Sequence, residues 1–145
     1  MPLTTMSFVR TGASYRIAGM GGGTAAAVTA ALGITPTDAF EVGEPIGRTG
    51  SVRDVSLWHL RSDLPEGLEL ADHLNAVLDR LEPRTDDLWR LVEQGYEIDW
   101  FCMLASNAFE HAAELDRVLL HRLLSVPGEL LIDAMGDGED DEDRR

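Results

Sequence analysis

A glycine-rich run, Gly19-Met20-Gly21-Gly22-Gly23-Thr24, is the stretch of this sequence that comes nearest to a ligand-binding motif. It follows a strand-like segment and opens a helix-like one, and the free amides of a helix N-terminus attract phosphate. Gly21, Gly22, Gly23 and Thr24 are therefore candidate ligand-binding residues. The fingerprint is incomplete. A dinucleotide loop needs Gly or Ala where Thr24 stands, and an acidic residue closing the next strand about twenty residues later. Glu41 lies at that distance, but in a segment flanked by proline and glycine, and no lysine follows for a Walker loop. A flexible strand-to-helix turn is the plainer reading.

The four histidines are His59, His73, His111 and His121, and no two share a metal-ligand spacing on one expected element. No metal site is expected, and each reads as a surface or rim histidine. His111, beside Glu110 and Asn107 in a loop after the most apolar strand, is the one kept as a candidate ligand-binding residue, since loops carry functional groups. Cys102 stands alone between Phe101 and Met103. Apolar surroundings hold such a thiol in its inert protonated form. Trp58, Trp89 and Trp100 fall at strand and helix spacing and are assigned to the core. Acidic pairs such as Glu97 and Asp99, or Asp86 and Asp87, have no partner at a defined separation, so no general acid and base can be assigned. No catalytic residue and no cofactor is expected.

Composition narrows the class of function. The chain of 145 residues carries a formal charge of -14, from 26 acidic residues against 12 basic ones, all of them arginine. Such a field repels a phosphate backbone, so nucleic acid is not an expected partner, whereas a basic protein is permitted. One cysteine allows no internal disulfide, there is no apolar run of membrane-spanning length, and the first ten residues have no secretory pattern. These features lead us to expect a cytoplasmic protein with no membrane association.

The elements that must position these residues follow from periodicity. Tyr96–Ser106 has the most sustained apolar content and reads as a central strand, with Trp100, Cys102 and Leu104 on one side and Phe101 and Met103 on the other. Ser7–Ala18 reads as a strand interrupted at Gly12, and Val52–Arg61 as another. Thr24 caps a helix over Ala25–Leu32, and Gly33 and Pro36 end it. Leu70, Leu74, Val77, Leu78 and Leu81 form one face of an amphipathic helix that Pro83 stops, and a shorter helix carries Leu88, Trp89, Leu91 and Val92. Thr37–Gly50 and Asn107–Glu114 read as loops. Asp116 caps a helix over Arg117–Leu124, and Glu129–Met135 reads as a last strand. Residues 136–145 hold six acids and two arginines. They read as a disordered acidic tail after a single domain over residues 1–135.

This order divides into two βαβ halves around the Leu70–Val92 helices: the Tyr15 strand, Ala25 helix and Trp58 strand, then the Trp100 strand, Arg117 helix and Ile132 strand. The expected fold is α+β, a two-layer sandwich with helices on one face of a mixed sheet, related to ferredoxin-like folds. Only one sheet face is then covered by helices, which leaves an apolar set such as Phe101 and Met103 needing other cover. Thr37–Gly50 offers few apolar groups, so a homodimer is expected.

Three segments in order carry a family resemblance: LGITPTDAFEVGEP (Leu32 to Pro45), SLWHLRSDLPEGLELADHLNAVLDRLEP (Ser56 to Pro83) and LVEQGYEIDWFCMLAS (Leu91 to Ser106). The Trp strand ending in Ser62, the helix carrying His73, and the strand containing Phe101 and Cys102 are its main features. Together they resemble the bacterial domain-of-unknown-function family numbered 4279, over about residues 7 to 135. The resemblance implies an α+β domain of a bacterial cytosol and transfers no catalytic residue. The expected function is a non-enzymatic protein-interaction domain, one form of which is an immunity or antitoxin-like partner for a basic protein. The alternative is a small ligand sensor or enzyme that uses the Gly19–Gly23 turn and the His111 loop around one end of the sheet.

Overall fold

A computed structural model of the chain describes residues 9–107 and 111–136. The expected acidic tail beyond Gly136 lies outside the described residues, as do Ser7 and Phe8 of the first expected strand and the middle of the Asn107–Glu114 loop. Among the described residues, five strands form one mixed sheet: β1 (Val9–Gly19), β2 (Asp38–Phe40), β3 (Ser56–Arg61), β4 (Glu97–Ser106) and β5 (Glu129–Met135), in the order β2-β3-β1-β4-β5. The helices are α1 (Ala25–Leu32), α2 (Leu70–Leu81), α3 (Thr85–Glu93) and α4 (Arg117–Ser125), with a 3-10 turn at Glu82–Arg84 between α2 and α3. This is the expected α+β two-layer sandwich.

Local chemistry sets the helix ends. The Thr24 side chain accepts the Ala27 N–H at 3.1 Å, and Gly33 closes α1 with φ 66°, a left-handed conformation that glycine adopts without a side-chain clash. Asp116 accepts the Leu119 N–H at 2.8 Å at the start of α4. On α2 all five residues of the expected apolar face are buried, and His73 is buried with them. Of the expected α3 stripe only Leu88 and Leu91 are buried. Trp89, assigned to the core from its spacing, is 44% exposed and donates its indole N–H to the Ser125 carbonyl at 3.0 Å.

One face of the sheet presents Tyr15, Ile17, Trp58, Leu60, Trp100 and Cys102, all essentially inaccessible, to a core completed by Val28, Leu32, Leu74, Leu78, Leu88 and Leu119 from the helices. Tyr15 and Trp100 meet edge to face at 4.7 Å, and the Tyr15 hydroxyl donates to the Pro127 carbonyl, so a buried polar tip is matched. Each fully buried large apolar side chain contributes about 2–3 kcal/mol.

The strands differ from expectation in three ways. β3 starts at Ser56 rather than at Val52, which makes only an isolated bridge to Pro45. β1 pairs with β4 residue for residue from Val9↔Ser106 to Ala18↔Glu97, so Gly12 interrupts nothing. The two βαβ halves are present, but the first has a different membership. β3 runs antiparallel to both β1 and β2, so β1 and β2 are parallel, α1 joins them, and β3 lies between. β2 has three residues in the segment expected to be all loop, too short for a period-two signal between its flanking proline and glycine. In the second half β4 and β5 are parallel neighbours joined through α4.

Candidate functional site

Among the described residues no helix covers the other sheet face, and the register places its side chains in rows. One row runs Asp38, His59, Arg16, Asp99 and Glu129, and the next runs Arg61, Ser14, Phe101 and Leu131. Arg16 donates two hydrogen bonds to the Asp99 carboxylate, both at 2.7 Å, and its guanidinium lies 4.9 Å from the Phe101 ring centroid. Arg61 pairs with Asp38 at 2.6 Å, and Arg53 lies over the Phe40 ring at 4.0 Å. Burial lowers the His59 pKa, and the nearby Arg61 and Arg16 lower it further, so the ring stays neutral. Phe101 and Met103 are half-buried here, with Arg16 supplying part of the cover that was expected from a partner.

The sequence candidates are separated. β4 is antiparallel to β1, so the turn after Gly19 and the loop after Ser106 leave opposite ends of the sheet. Ten strand residues, about 30 Å, lie between those ends. At the Gly19 end the amides of α1 are already occupied. The Thr24 N–H donates to the Tyr96 hydroxyl at 3.0 Å, and the Ala25 and Ala26 N–H groups each donate at 2.9 Å to the Glu41 carboxylate. The Tyr96 hydroxyl in turn donates to the Thr24 carbonyl at 2.9 Å. Glu41 therefore sits where an anion would bind. Gly21 and Gly22 adopt φ 63° and 102°, which serves the turn, and Gly23 packs against the Tyr96 ring. His111 lies at the other end, its Nε2 3.6 Å from the Glu69 carboxylate at the start of α2.

At that second end the structure assembles a group that sequence spacing did not bring together. β3 stops at Arg61, and the chain continues beside β1, with the Ser62 N–H donating to the Ala13 carbonyl at 3.1 Å and the Thr11 N–H to the Glu66 carbonyl at 2.8 Å. Asp63 turns the chain with φ 55°, left-handed backbone that Asp tolerates better than most residues. The Ser62 hydroxyl and His73 Nδ1 share a hydrogen bond of 2.5 Å. His73 is 1% exposed rather than at the rim, and burial lowers its pKa more than Asp72, the Pro65 carbonyl and Glu66 raise it. The signal for this was its position. Three residues after Leu70 and four before Val77, it lies inside the buried stripe of α2.

Between the helix-free face and the Ser62–Glu66 segment lies a hollow of about 570 Å³, with Gly12, Ser14, Arg16, Arg61, Ser62, His73, Phe101 and Met103 among its walls. Five buried side-chain atoms lack a hydrogen-bond partner among the described residues: Ser14 Oγ, Arg53 Nε, His73 Nε2, Trp100 Nε1 and His111 Nε2. Two of these residues, Ser14 and His73, line this hollow. A larger hollow of about 840 Å³ at the Gly19 end, walled in part by Trp89, Tyr96 and Asp99, is lined by none of the five. The Ser62–His73 pair has a hydroxyl beside an imidazole. Among the described residues no carboxylate is hydrogen-bonded to Nε2 to orient the ring, as a nucleophilic triad requires. Cys102 is a free thiol in the core, its pKa pushed up to about 12 by burial.

The fold and this face define a two-layer α+β domain of the kind expected from the Trp58, His73 and Cys102 segments. The profile of the domain-of-unknown-function family DUF4279 matches residues 10–137, and the chain belongs to that family. No curated protein and no solved structure matches the chain.

Proposed function

We propose that this domain works by protein contact rather than catalysis, and that it binds a basic partner along β5. The supporting observation is that all seven residues of this edge strand are exposed, including Leu130 (37%), Leu131 (51%), Ile132 (42%) and Met135 (45%). An unpaired, apolar strand edge is a template for another strand, and proteins ordinarily blunt such edges. The opposite edge follows that rule, since β2 has only three residues.

Charge selects the partner's sign. β5 carries Glu129 and Asp133, the segment after it is rich in Asp and Glu, and the whole chain is at -14, so a basic strand gains in encounter rate while a second acidic copy is disfavoured. The reading places the domain in the cytoplasm, where the Cys102 thiol stays reduced. An immunity or antitoxin-like role is one form it takes.

Immobilised protein incubated with lysate of the source cells tests this. The expected result is a basic protein retained at low salt, released as salt rises, and not retained by the Leu131→Pro variant. A partner held equally by that variant, or no salt-sensitive partner at all, overturns the reading. Light scattering on the purified chain addresses the competing homodimer: a doubled mass that Phe101→Asp halves places a second copy on the helix-free face, and one that Leu131→Pro halves places it on β5.

A further inference from the structure

We propose that the hollow between the helix-free face and the Ser62–Glu66 segment is a binding site for a small, uncharged, hydrogen-bonding aromatic molecule, of the aromatic amide or nucleobase type. The site is separate from the β5 edge and does not depend on the partner proposed there. Its volume of about 570 Å³ falls in the range of small-molecule sites, about 300–1,000 Å³. Phe101 and Met103 offer an apolar surface, and Gly12 keeps the floor beside Met103 open, the nearest atom to a Cβ placed there being Met103 Cε at 4.0 Å.

Among the described residues, two polar groups in this wall make no well-aligned hydrogen bond with their unpaired atom. Among the described residues the Ser14 hydroxyl is buried without a hydrogen bond, and His73, 1% exposed, has Nδ1 held by Ser62 while the Pro65 carbonyl lies close enough to act on the ring without forming a well-aligned hydrogen bond to Nε2. A buried polar atom left unpaired is costly, so two along one hollow point to a ligand that supplies a donor and an acceptor.

The charges around the hollow select a neutral ligand. Arg16 and Arg61 line it, but each is held by its own carboxylate, Asp99 at 2.7 Å and Asp38 at 2.6 Å. Asp63 and Glu66 stand exposed at the rim and oppose an anion, while the two guanidiniums oppose a cation. His59 and His73 are both kept neutral by burial.

An isosteric series tests size and charge together: benzamide, benzoate and benzamidine, titrated into the full-length protein and followed by backbone amide chemical shifts. We expect saturable shifts with benzamide, centred on Gly12, Ser14, Phe101 and Met103, with a millimolar dissociation constant suited to a fragment of this size. Benzoate and benzamidine should bind at least about tenfold more weakly. Ser14→Ala, which needs no repacking in a half-buried strand position, should weaken benzamide about tenfold, and Phe101→Ala should abolish its binding with the spectrum otherwise intact. Equal binding of either ion, shifts centred elsewhere, no shift with benzamide, or unchanged affinity in Ser14→Ala overturns the proposal.

Discussion

Where β1 gives way to α1, four consecutive amides, Thr24 to Ala27, are taken up by the Tyr96 hydroxyl, the two oxygens of Glu41 and the Thr24 side chain. Where β3 gives way to Ser62, the Ser14 hydroxyl and His73 Nε2 are buried with no well-aligned hydrogen bond among the described residues. The first end carries the sequence motif that suggests a ligand, and its capacity to bind one is already used internally. The second end has no motif, yet it retains the unsatisfied groups. Binding capacity resides in the polar atoms that folding leaves unmatched, whatever motif surrounds them.

Removing the internal anion should have the largest effect. Glu41→Ala takes two charge-assisted hydrogen bonds from the α1 N-terminus, and we expect a loss of about 2 kcal/mol in urea unfolding. The vacated amides should then respond to inorganic phosphate, which would raise the variant's melting temperature and leave the parent unchanged. A variant as stable as the parent, or one indifferent to phosphate, would show that Glu41 is an incidental neighbour and the two ends are not opposites in this respect.

The residues behind this comparison were unequally legible in the sequence. Thr24 as a cap, Gly33 as a helix stop and the Leu70–Leu81 face follow from local spacing, and each is found as expected. Glu41 was at the right distance from the glycine run for a dinucleotide site. Its actual role, as the carboxylate filling the helix end, depends on β2 bringing it back beside α1, and three residues are too few to announce a strand. The Ser62–His73 contact joins a strand end to a helix across eleven positions. Sequence showed both residues, and His73 lay on a buried stripe, but only the packing of α2 on β1 makes them neighbours. The exposure of β5 was illegible for a related reason: Leu130, Leu131 and Ile132 look like core until the sheet order puts their strand at an edge.

At the unsatisfied end, removal should cost little. His73→Leu replaces a buried imidazole, one nitrogen of which has no partner, with an apolar side chain suited to its neighbours Leu70, Leu74 and Val77, and half-exposed Ser62 can turn to water. We expect a change within about 1 kcal/mol at pH 7.5, in contrast to Glu41→Ala. The pH dependence separates the two further. The folded-state pKa of His73 lies below its ordinary value of 6.5, so the unfolded chain takes up the proton first as pH falls. Stability is therefore full above about pH 6.5 and declines as pH drops through and below it. The leucine variant should lose part of that decline between pH 7 and 5, with the rest belonging to His59, whose pKa is also lowered. An unchanged pH profile would mean that His73 is solvated enough to titrate normally.

The smallest effect concerns glycine, and it has opposite signs at the two ends. A Cβ on Gly23 would lie 2.7 Å from Tyr96 Cζ, so the close approach that lets Tyr96 reach the α1 amides has no room for a side chain. A Cβ on Gly12 would meet only Met103 Cε at 4.0 Å, an ordinary contact, and Gly12 is not among the residues with positive φ. Glycine in a strand interior costs about 0.5–1 kcal/mol relative to alanine through the freedom it loses on folding. Gly12→Ala should therefore stabilise the protein by about 0.5 kcal/mol, read as a higher urea midpoint with an unchanged slope. Such a gain means that the fold does not need glycine at this position, and that the space it leaves beside Met103 serves the hollow instead. A loss of stability would instead show that the backbone there depends on glycine, and the open floor would be a by-product of folding.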